Sequence, residues 1–261
     1  MDKRYRLSII TVNLNNLEGL KLTMQSVFEQ TWQEFEYIII DGGSTDGSRE
    51  YIEEHSKKIH YWVSEPDNGI YNAMNKGVLN AHGEYLLFLN SGDHFYQNKS
   101  LENALIDLTK DIVYFDMFIV EKQSRYKKEY PDKLTFSYFT KDTLPHQGSF
   151  IKSQLFNTYG LYDESLEISS DWKFFIKTIC MFYVSHKKVN RVLSTHYLDG
   201  ISAQVDSLSI IQQERADVLK KDFKFMMEEF EQRKSLQKKL DALRRSIKIR
   251  CLIKLGLLKK F

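Results

Sequence analysis

Asp93 is the first residue whose chemistry requires an explanation, because it ends an apolar stretch at residues 88–93 with the sequence FLNSGD. A buried strand that stops on a carboxylate suggests that something at its end requires the charge. Mg²⁺ and Mn²⁺ prefer oxygen ligands and keep coordination positions open for substrate phosphates. No cluster of Cys and His at zinc spacing competes in this sequence. We therefore predict that Asp93 binds Mg²⁺ or Mn²⁺.

Three earlier apolar stretches also end in polar or acidic side chains. These side chains are Thr11 and Asn13 in residues 7–14, Asp41 in residues 36–41, and Glu65 and Asp67 after residues 61–64. Asp and Asn often only cap turns after strands, which is the alternative for any one of them. In an open α/β sheet, however, the carboxyl ends of parallel strands share one edge, where ligands bind. Four successive strands with polar ends favour a site at this edge.

The elements that must position these side chains alternate along the chain. Short apolar stretches alternate with helical patterns at residues 17–30, 49–56 and 70–81. This alternation predicts an α/β fold with a mostly parallel, Rossmann-like sheet and helices on both faces. After Asp93 we expect a strand at residues 112–120, a helix at 170–181, an extended segment at 183–198 and a long amphipathic helix from Asp206.

The sequence gives a weaker signal for phosphate binding than for a site at the strand ends. The stretch DGGSTDGS at residues 41–48 is rich in glycine but lacks the lysine and the spacing of a P-loop or a dinucleotide fingerprint. Phosphate contacts would then come from the metal ion and from scattered cations such as Lys76. The alternative for Lys76 is an ordinary solvated residue of a helix.

Composition narrows the class of protein. The chain has 261 residues, is 42% hydrophobic and contains only 3 prolines, which fits one large domain or one domain with an appendage. A net charge of +2 argues against a general polyanion binder. The separated Cys180 and Cys251, a polar N-terminus and the lack of a long apolar run predict a reduced, cytoplasmic protein without a signal peptide or membrane span.

The C-terminal stretch has a different charge pattern from the rest of the chain. Residues 233–261 carry eleven Lys and Arg side chains against the single acid Asp241, with leucines and isoleucines between them. We predict a domain at residues 1–205 and a basic amphipathic helical extension at 206–261. Such a helix suits an anionic membrane surface. Packing on the same chain, or on a second copy in a homodimer, is the alternative. No aromatic and basic module supports nucleic-acid binding.

Ordered motifs in the chain resemble those of the family 2 inverting glycosyltransferases with the GT-A fold. The resemblance is carried by SIITVNLNN, EYIIIDGGSTDGS, SEPDNGIYNAMNKG and EYLLFLNSGD, and more loosely by HQGSFI, SSDWKFF and HYLDGIS. It extends closely from about residue 7 to residue 93 and loosely to about residue 202. It implies a metal-dependent transferase that uses a nucleotide-activated sugar.

The resemblance also implies a role for individual residues. Thr11, Asn13 and Asp41 would surround the nucleotide base, Glu65 and Asp67 would line the same pocket, and Ser91 would lie near the ribose. Ser91, Gly92 and Asp93 occupy the place of the family's Asp-x-Asp motif, with Asp93 as metal ligand. Asp171 of SSDWKFF falls at the position of the catalytic base, although Asp is also favoured as a helix N-cap.

Two departures from the family pattern, and three further candidates, complete the site. Ser91 replaces the first Asp of the motif, and Asn72 stands where many relatives have Asp. His146 could contact the acceptor or a phosphate, or simply hydrogen-bond within the structure, and His196 is an equal or weaker candidate. Trp172 could stack on a sugar ring, but a core position suits it equally.

These observations predict a cytoplasmic, membrane-peripheral transferase. It would move a sugar from a nucleotide donor, with UDP favoured, to a lipid-linked or growing cell-surface glycan. A nucleotidyltransferase is one alternative, but VNLNNLEG lacks the basic glycine-rich loop of that class. A non-catalytic module that binds nucleotide sugars or tethers partners at a membrane is the other. The joint presence of Asp93 and Asp171 argues against that module, and Ser91 argues mildly for it.

Overall fold

The computed structural model describes residues 5–121, 124–197 and 205–259. Residues 198–202 of the HYLDGIS motif, and the last two residues of the basic stretch, lie outside the described residues. The chain divides into two compact units, Met1–Glu214 and Arg215–Phe261. The boundary at residue 205 that the sequence suggests stays a prediction.

The first half of the larger unit is a parallel sheet with helical crossovers. Its strands are β1 (Leu7–Asn13), β2 (Glu36–Asp41), β3 (Tyr61–Ser64) and β4 (Tyr85–Phe88), and its helices are α1 (Leu17–Phe28), α2 (Ser48–Glu54) and α3 (Ile70–Leu79). The strands pair in parallel in the order β3-β2-β1-β4. The predicted alternation of strands and helices is confirmed to within a few residues.

Helices cover both faces of this sheet because its strands are apolar on both sides. Ile9 belongs to a core cluster with Leu20 and Met24 of α1 and Ile52 of α2. The next residue, Ile10, points to the opposite face, where α3 packs so closely that a Cβ at Gly77 would lie 2.4 Å from its side chain. Successive side chains of a strand alternate between faces, so these contacts place helices on either side.

The second half adds antiparallel strands, which the sequence does not predict. The further strands are β5 (His94–Phe95), β6 (Ile112–Glu121), β7 (Ser124–Lys128), β8 (Ser149–Lys152) and β9 (His186–Tyr197). Strand β8 lies antiparallel between β4 and β6, while β6 and β9 run parallel through a β-bulge at Phe115–Met117. In the described ranges, nine strands thus form one mixed sheet.

The remaining helices complete the fold. They are α4 (Ser100–Ala104), α5 (Phe136–Phe139), α6 (Ser153–Tyr159), α7 (Ser170–Ile176), α8 (Val205–Asp222), α9 (Lys224–Arg245) and α10 (Ile247–Lys254). The predicted helix at 170–181 ends its α-helical part at Ile176 and continues as a π-helical turn, Lys177–Met181. The prediction of a single long helix from Asp206 is wrong, because the backbone of Phe223 leaves the helical region with φ −125° and separates α8 from α9.

Candidate functional site

The carboxyl ends of β1, β2 and β3 meet around the carboxylate of Asp41. Asn13 Nδ2 donates to Asp41 Oδ1 at 2.7 Å, and Ser64 Oγ donates to Oδ2 at 2.6 Å. Ser44 donates its backbone N–H and its hydroxyl to the same carboxylate. Asp41 is fully buried, so these donors compensate the loss of solvation of its charge. Sequence reasoning brought Asn13 and Asp41 together but missed Ser44 and Ser64. The stretch GGSTDGS was the available signal for Ser44, and the end of the apolar stretch YWVSE was the signal for Ser64.

The Thr11 side chain lies in the protein interior and not at this edge of the sheet. Its side chain is fully buried, and its hydroxyl donates to the backbone oxygen of Leu89 at 2.8 Å and lies 3.1 Å from the Tyr37 hydroxyl. The expectation that Thr11 surrounds a nucleotide base is therefore wrong for its side chain. The residue instead fastens β1 to the end of β4.

The segment after β3 carries Glu65 and Asp67, as expected. Lys76 Nζ lies 2.7 Å from Glu65 Oε1, so the predicted phosphate contact would have to compete with a partly exposed ion pair. Asp67 lies against the backbone after β2, where a Cβ at Gly42 would come within 2.5 Å of Asp67 Oδ2. Only glycine at this position allows the close approach.

Side chains of α1 and of its N-cap residue hold the Ser91–Asp93 turn in place. Thr23 Oγ1 accepts from the backbone N–H of Gly92 at 3.0 Å and donates to the backbone oxygen of Asp93 at 2.6 Å. Asn16, the N-cap of α1, donates to the backbone oxygen of Ser91 at 3.3 Å. The conformation of the turn is therefore set by side chains outside the motif. The Ser91 side chain is partly exposed.

The carboxylate of Asp93 faces an imidazole that comes from the far end of the sheet. His196 Nδ1 of β9 lies 2.6 Å from Asp93 Oδ1, and the side chains of Asp93 and His196 are 7% and 20% exposed. Carboxylate oxygen is a ligand type that suits Mg²⁺ and Mn²⁺, and imidazole nitrogen is a common ligand of divalent first-row transition metals. These two residues fit a divalent ion that also binds substrate oxygens or water. Among the described residues, no group of three or more His, Cys, Asp and Glu is arranged to hold a metal.

Asp171 lies at the start of α7, where three groups contact its carboxylate. The backbone N–H of Trp172 donates to Oδ1 at 2.7 Å, and the Tyr71 hydroxyl lies 3.1 Å from the same oxygen. His146 Nδ1, from the 3₁₀ turn His146–Gly148, lies 3.1 Å from Oδ2. Asn90, immediately before Ser91, places its Nδ2 3.3 Å from His146 Nε2. His146 thus connects Asp171 to the turn that carries Asp93.

Trp172 is a core residue. Its side chain is fully buried, and its indole N–H donates to the backbone oxygen of Phe139 at 2.8 Å. The suggestion that it stacks on a sugar ring is wrong, because no face of the ring reaches solvent. Its backbone N–H, not its side chain, contributes to the site.

The loop before Asp171 is anchored by carboxylates. Glu164 accepts from Asn72 Nδ2 at 2.8 Å and from Asn75 Nδ2 at 2.7 Å, so Asn72 binds this loop. Glu214 of α8 accepts hydrogen bonds from the backbone N–H groups of residues 167–169, the segment that immediately precedes α7. Negative charge beside free N–H groups at the start of a helix is favourable. Sequence reasoning missed both glutamates.

A cavity of about 390 Å³ lies elsewhere, between the Tyr96–Asn103 segment, β6 and the bulged part of β9. None of the predicted site residues lines it. We place the functional site at the strand ends, because there the carboxylates and imidazoles converge.

Comparison with known proteins identifies the family of this chain. The family model described as "Glycosyl transferase family 2" matches residues 8–167. An uncharacterized glycosyltransferase of Mycobacterium tuberculosis is 35% identical over 176 residues, covering 65% of this chain and 67% of that protein. A PGL/p-HBAD biosynthesis glycosyltransferase of Mycobacterium bovis is 31% identical over 178 residues, covering 65% and 68%.

Solved structures share the architecture at low identity. Staphylococcus aureus TarS 1–349, in complex with UDP-GlcNAc, matches with a TM-score of 0.63 and 17% identity over 82% of this chain and 66% of that one. The mannosyltransferase PcManGT from Pyrobaculum calidifontis, in complex with GDP-Man and Mn²⁺, matches with a TM-score of 0.59 and 15% identity over 77% and 59%. The chain thus spans just under two thirds or less of these structures. The predicted GT-A fold is confirmed.

Proposed function

Because the chain belongs to glycosyl transferase family 2, and is therefore a glycosyltransferase, we propose that it is metal-dependent and inverting. Its donor would be a nucleotide-diphosphate sugar, with UDP favoured, and its acceptor a hydroxyl of a lipid-linked or growing cell-surface glycan. One observation carries this proposal. His146 contacts both the Asp171 carboxylate and the side chain of Asn90, and the backbone of Asn90 leads directly into the turn that carries the Asp93–His196 pair.

On the donor side, Asp93 and His196 would hold the ion, which when bound supplies positive charge to the leaving diphosphate. The nucleotide would lie along the ends of β1 to β3, near Asn13 and Asp41. Because both oxygens of Asp41 already accept internal hydrogen bonds, we assign it mainly the task of fixing Asn13 and the loop that begins at Gly42. Ser91 is partly exposed beside this strand end and suits a ribose contact.

On the acceptor side, Asp171 would accept the proton of the attacking hydroxyl. A hydroxyl has a pKa far above neutral, and a positioned base contributes roughly 10²–10⁴-fold to such a step. A base on one face of the sugar and a leaving group on the other produce a single displacement with inversion. Alignment of the two reactants supplies a further part of the rate.

The choice of UDP rests on TarS, whose structure holds UDP-GlcNAc, while PcManGT holds GDP-Man. The test is therefore a screen of UDP- and GDP-sugars for protection against thermal unfolding, with and without Mn²⁺. A ligand bound only by the native state at 100 times its Kd contributes about 2.7 kcal/mol, a shift of roughly 5–10 °C for a chain of this size. A shift with a UDP-sugar that requires Mn²⁺ supports the proposal. The absence of a shift with any nucleotide sugar contradicts the proposal and favours a non-catalytic module that tethers partners at a membrane.

We also propose that the protein works at the cytoplasmic face of an anionic membrane. Residues 242–259 contain six Lys and Arg side chains and no acid. Large apolar side chains between them are exposed, including Leu243 at 50%, Ile247 at 77% and Leu255 at 71%. Cations and exposed apolar side chains together in α10 and the residues on either side of it suit an anionic lipid surface. Within the described ranges, no helix is both long and apolar enough to cross a bilayer.

Vesicle sedimentation tests the membrane proposal. Each cation near an anionic surface contributes about 1 kcal/mol, or roughly fivefold in partitioning, so removing three should weaken binding by on the order of 100-fold. We would compare the triple variant Arg245→Gln/Lys248→Gln/Arg250→Gln with a triple control variant. The control, Lys57→Gln/Lys110→Gln/Lys133→Gln, removes three exposed cations of the larger unit. Binding to phosphatidylglycerol vesicles that only the first variant loses supports the proposal. Absence of binding, or a homodimer that the first variant dissociates, contradicts it.

A further inference from the structure

We infer that Tyr71 and His146 are positioning residues for Asp171, holding its carboxylate in the direction of the acceptor hydroxyl. This inference rests on the proposed function, because it concerns the residue that we assign as base. Its evidence is the hydrogen-bond geometry around the carboxylate, to which α3, α7 and the 3₁₀ turn His146–Gly148 each contribute one group.

The carboxylate of Asp171 has one acceptor position left among these contacts. A carboxylate offers about four lone-pair positions. The Trp172 N–H and the Tyr71 hydroxyl take Oδ1, and His146 takes one position on Oδ2. The side chain is 14% exposed, so an incoming hydroxyl has a restricted approach. The contacts therefore select which oxygen, and which direction, is available for proton transfer.

Tyr71 is itself fixed before any substrate arrives. Its hydroxyl lies 2.5 Å from the backbone oxygen of Ile168 and 3.1 Å from Asp171 Oδ1, so its proton is shared between two acceptors. Its ring packs against Tyr162 with centroids 5.6 Å apart. Burial, followed by the nearby charge of Asp171, raises the pKa of the Tyr71 hydroxyl well above 10.0. Tyr71 therefore stays a neutral donor across the working pH range.

His146 links the base to the proposed metal turn. Its Nδ1 faces Asp171, while its Nε2 faces Asn90 Nδ2, whose chain continues directly into Ser91–Asp93. The backbone N–H of Asp93 donates to the backbone oxygen of Asn90 at 2.9 Å, which closes this turn. A neutral imidazole that donates from Nδ1 and accepts at Nε2 satisfies both neighbours. The distance between the base and the leaving group is thus set in part by this imidazole.

Loss of either contact should act on turnover and not on donor binding. A misplacement of about 1 Å can reduce the rate by on the order of 10²-fold. We expect His146→Ala and Tyr71→Phe to lower kcat by about 10- to 100-fold, with the donor KM changed less than about threefold. His146→Asn should recover most of the activity, because its amide can donate from near the position of Nδ1.

The assay is release of nucleoside diphosphate from the donor found in the thermal screen, with Mn²⁺ and with water as acceptor. The matched control is His82→Ala, which removes another histidine–carboxylate pair, His82 Nδ1 to Glu36 Oε1 at 2.8 Å. A structural effect alone would lower the melting temperature of the variants and would not be repaired by His146→Asn.

Asp171→Asn distinguishes a failure of the positioning inference from a failure of the proposed function. If Asp171→Asn loses turnover while His146→Ala and Tyr71→Phe keep parental kcat, the positioning inference is wrong and the proposed function stands. If Asp171→Asn turns over at the parental rate, the assignment of the base fails, and the inference fails with it. Loss of kcat in all three, with rescue by His146→Asn and no effect of His82→Ala, supports both.

Discussion

Replacement of Asp171 by Asn should remove proton transfer while leaving the fold and donor binding intact. The substitution keeps the shape of the side chain and one carbonyl oxygen. That oxygen can still accept from the Trp172 N–H and lie near the Tyr71 hydroxyl. The amide nitrogen would replace Oδ2, which now faces His146 Nδ1 at 3.1 Å.

A simple rearrangement relieves the contact between the new amide and the imidazole. If His146 carries its proton on Nε2, its Nδ1 can accept from the amide that the substitution introduces. Asn90 must then turn its own amide, so that Oδ1 accepts from His146 Nε2. Asn90 Oδ1 is buried and has no hydrogen-bond partner among the described residues, so this exchange leaves no additional buried oxygen unpaired. The free energy of unfolding should therefore change by no more than about 1 kcal/mol.

The effect on catalysis should be far larger. An amide cannot take the proton of the acceptor, so the turnover number should fall by about 10²–10⁴-fold, the range for general-base catalysis. The donor KM and the Mn²⁺-dependent thermal shift should stay at parental values. The measurements are nucleoside diphosphate release under saturating donor and thermal unfolding with the donor present. A parental turnover number, or a lost donor shift with the fold intact, would contradict the assignment of Asp171 as the base.

Three further predictions concern the metal ion, the contact between Gly42 and Asp67, and stability in acid. Asp93→Ala should weaken Mn²⁺-dependent donor protection and turnover together, by at least about tenfold each, in thermal titration and product assays; equal Mn²⁺ dependence in variant and parent would contradict it. Gly42→Ala should displace the Asp67 carboxylate, which its Cβ would approach to 2.5 Å, and raise the donor KM in steady-state assays. Burial opposes ionisation of Asp163, but hydrogen bonds led by that from Lys173 outweigh it and lower the Asp163 pKa from 3.8 to about 2. Because the pKa of Asp163 is lowered in the folded state, its ionisation contributes to the free energy of unfolding above about pH 4, and this contribution is lost as the pH falls through 2. Lys173→Met should therefore lower the free energy of unfolding by roughly 1 kcal/mol at pH 7 and by little at pH 2, as measured by chemical unfolding.

Local patterns in the sequence were sufficient for the parallel half of the fold. Residues 7–14 and 36–41 are rich in apolar and β-branched side chains, and each stretch is followed by a helical pattern. This combination favours a parallel strand covered on both faces. The polar residues Asn13 and Asp41 fall where such strands end, and their contact follows from parallel register, in which they are paired. The position of this part of the site was therefore predictable.

Contacts between distant segments could not be read in this way. His196 meets Asp93 across 103 positions of sequence, because β9 pairs with β5 in a mixed sheet whose strand order no local pattern encodes. Thr11 and Trp172 have residue types that suit a binding site, but strand and helix geometry turn both side chains inward. Lys76 forms an ion pair with Glu65, which the chain segment after β3 brings close to it.

The three N–H groups that Glu214 accepts bear on where this protein can be divided. A transferase truncated at residue 205, the boundary that the sequence pattern suggests, would lack this carboxylate and would leave the entry into α7 without its anchor. An exchange of basic tails between relatives should therefore be joined downstream of Glu214. Hybrids joined upstream should fold less stably and turn over more slowly even when every strand-end residue is retained.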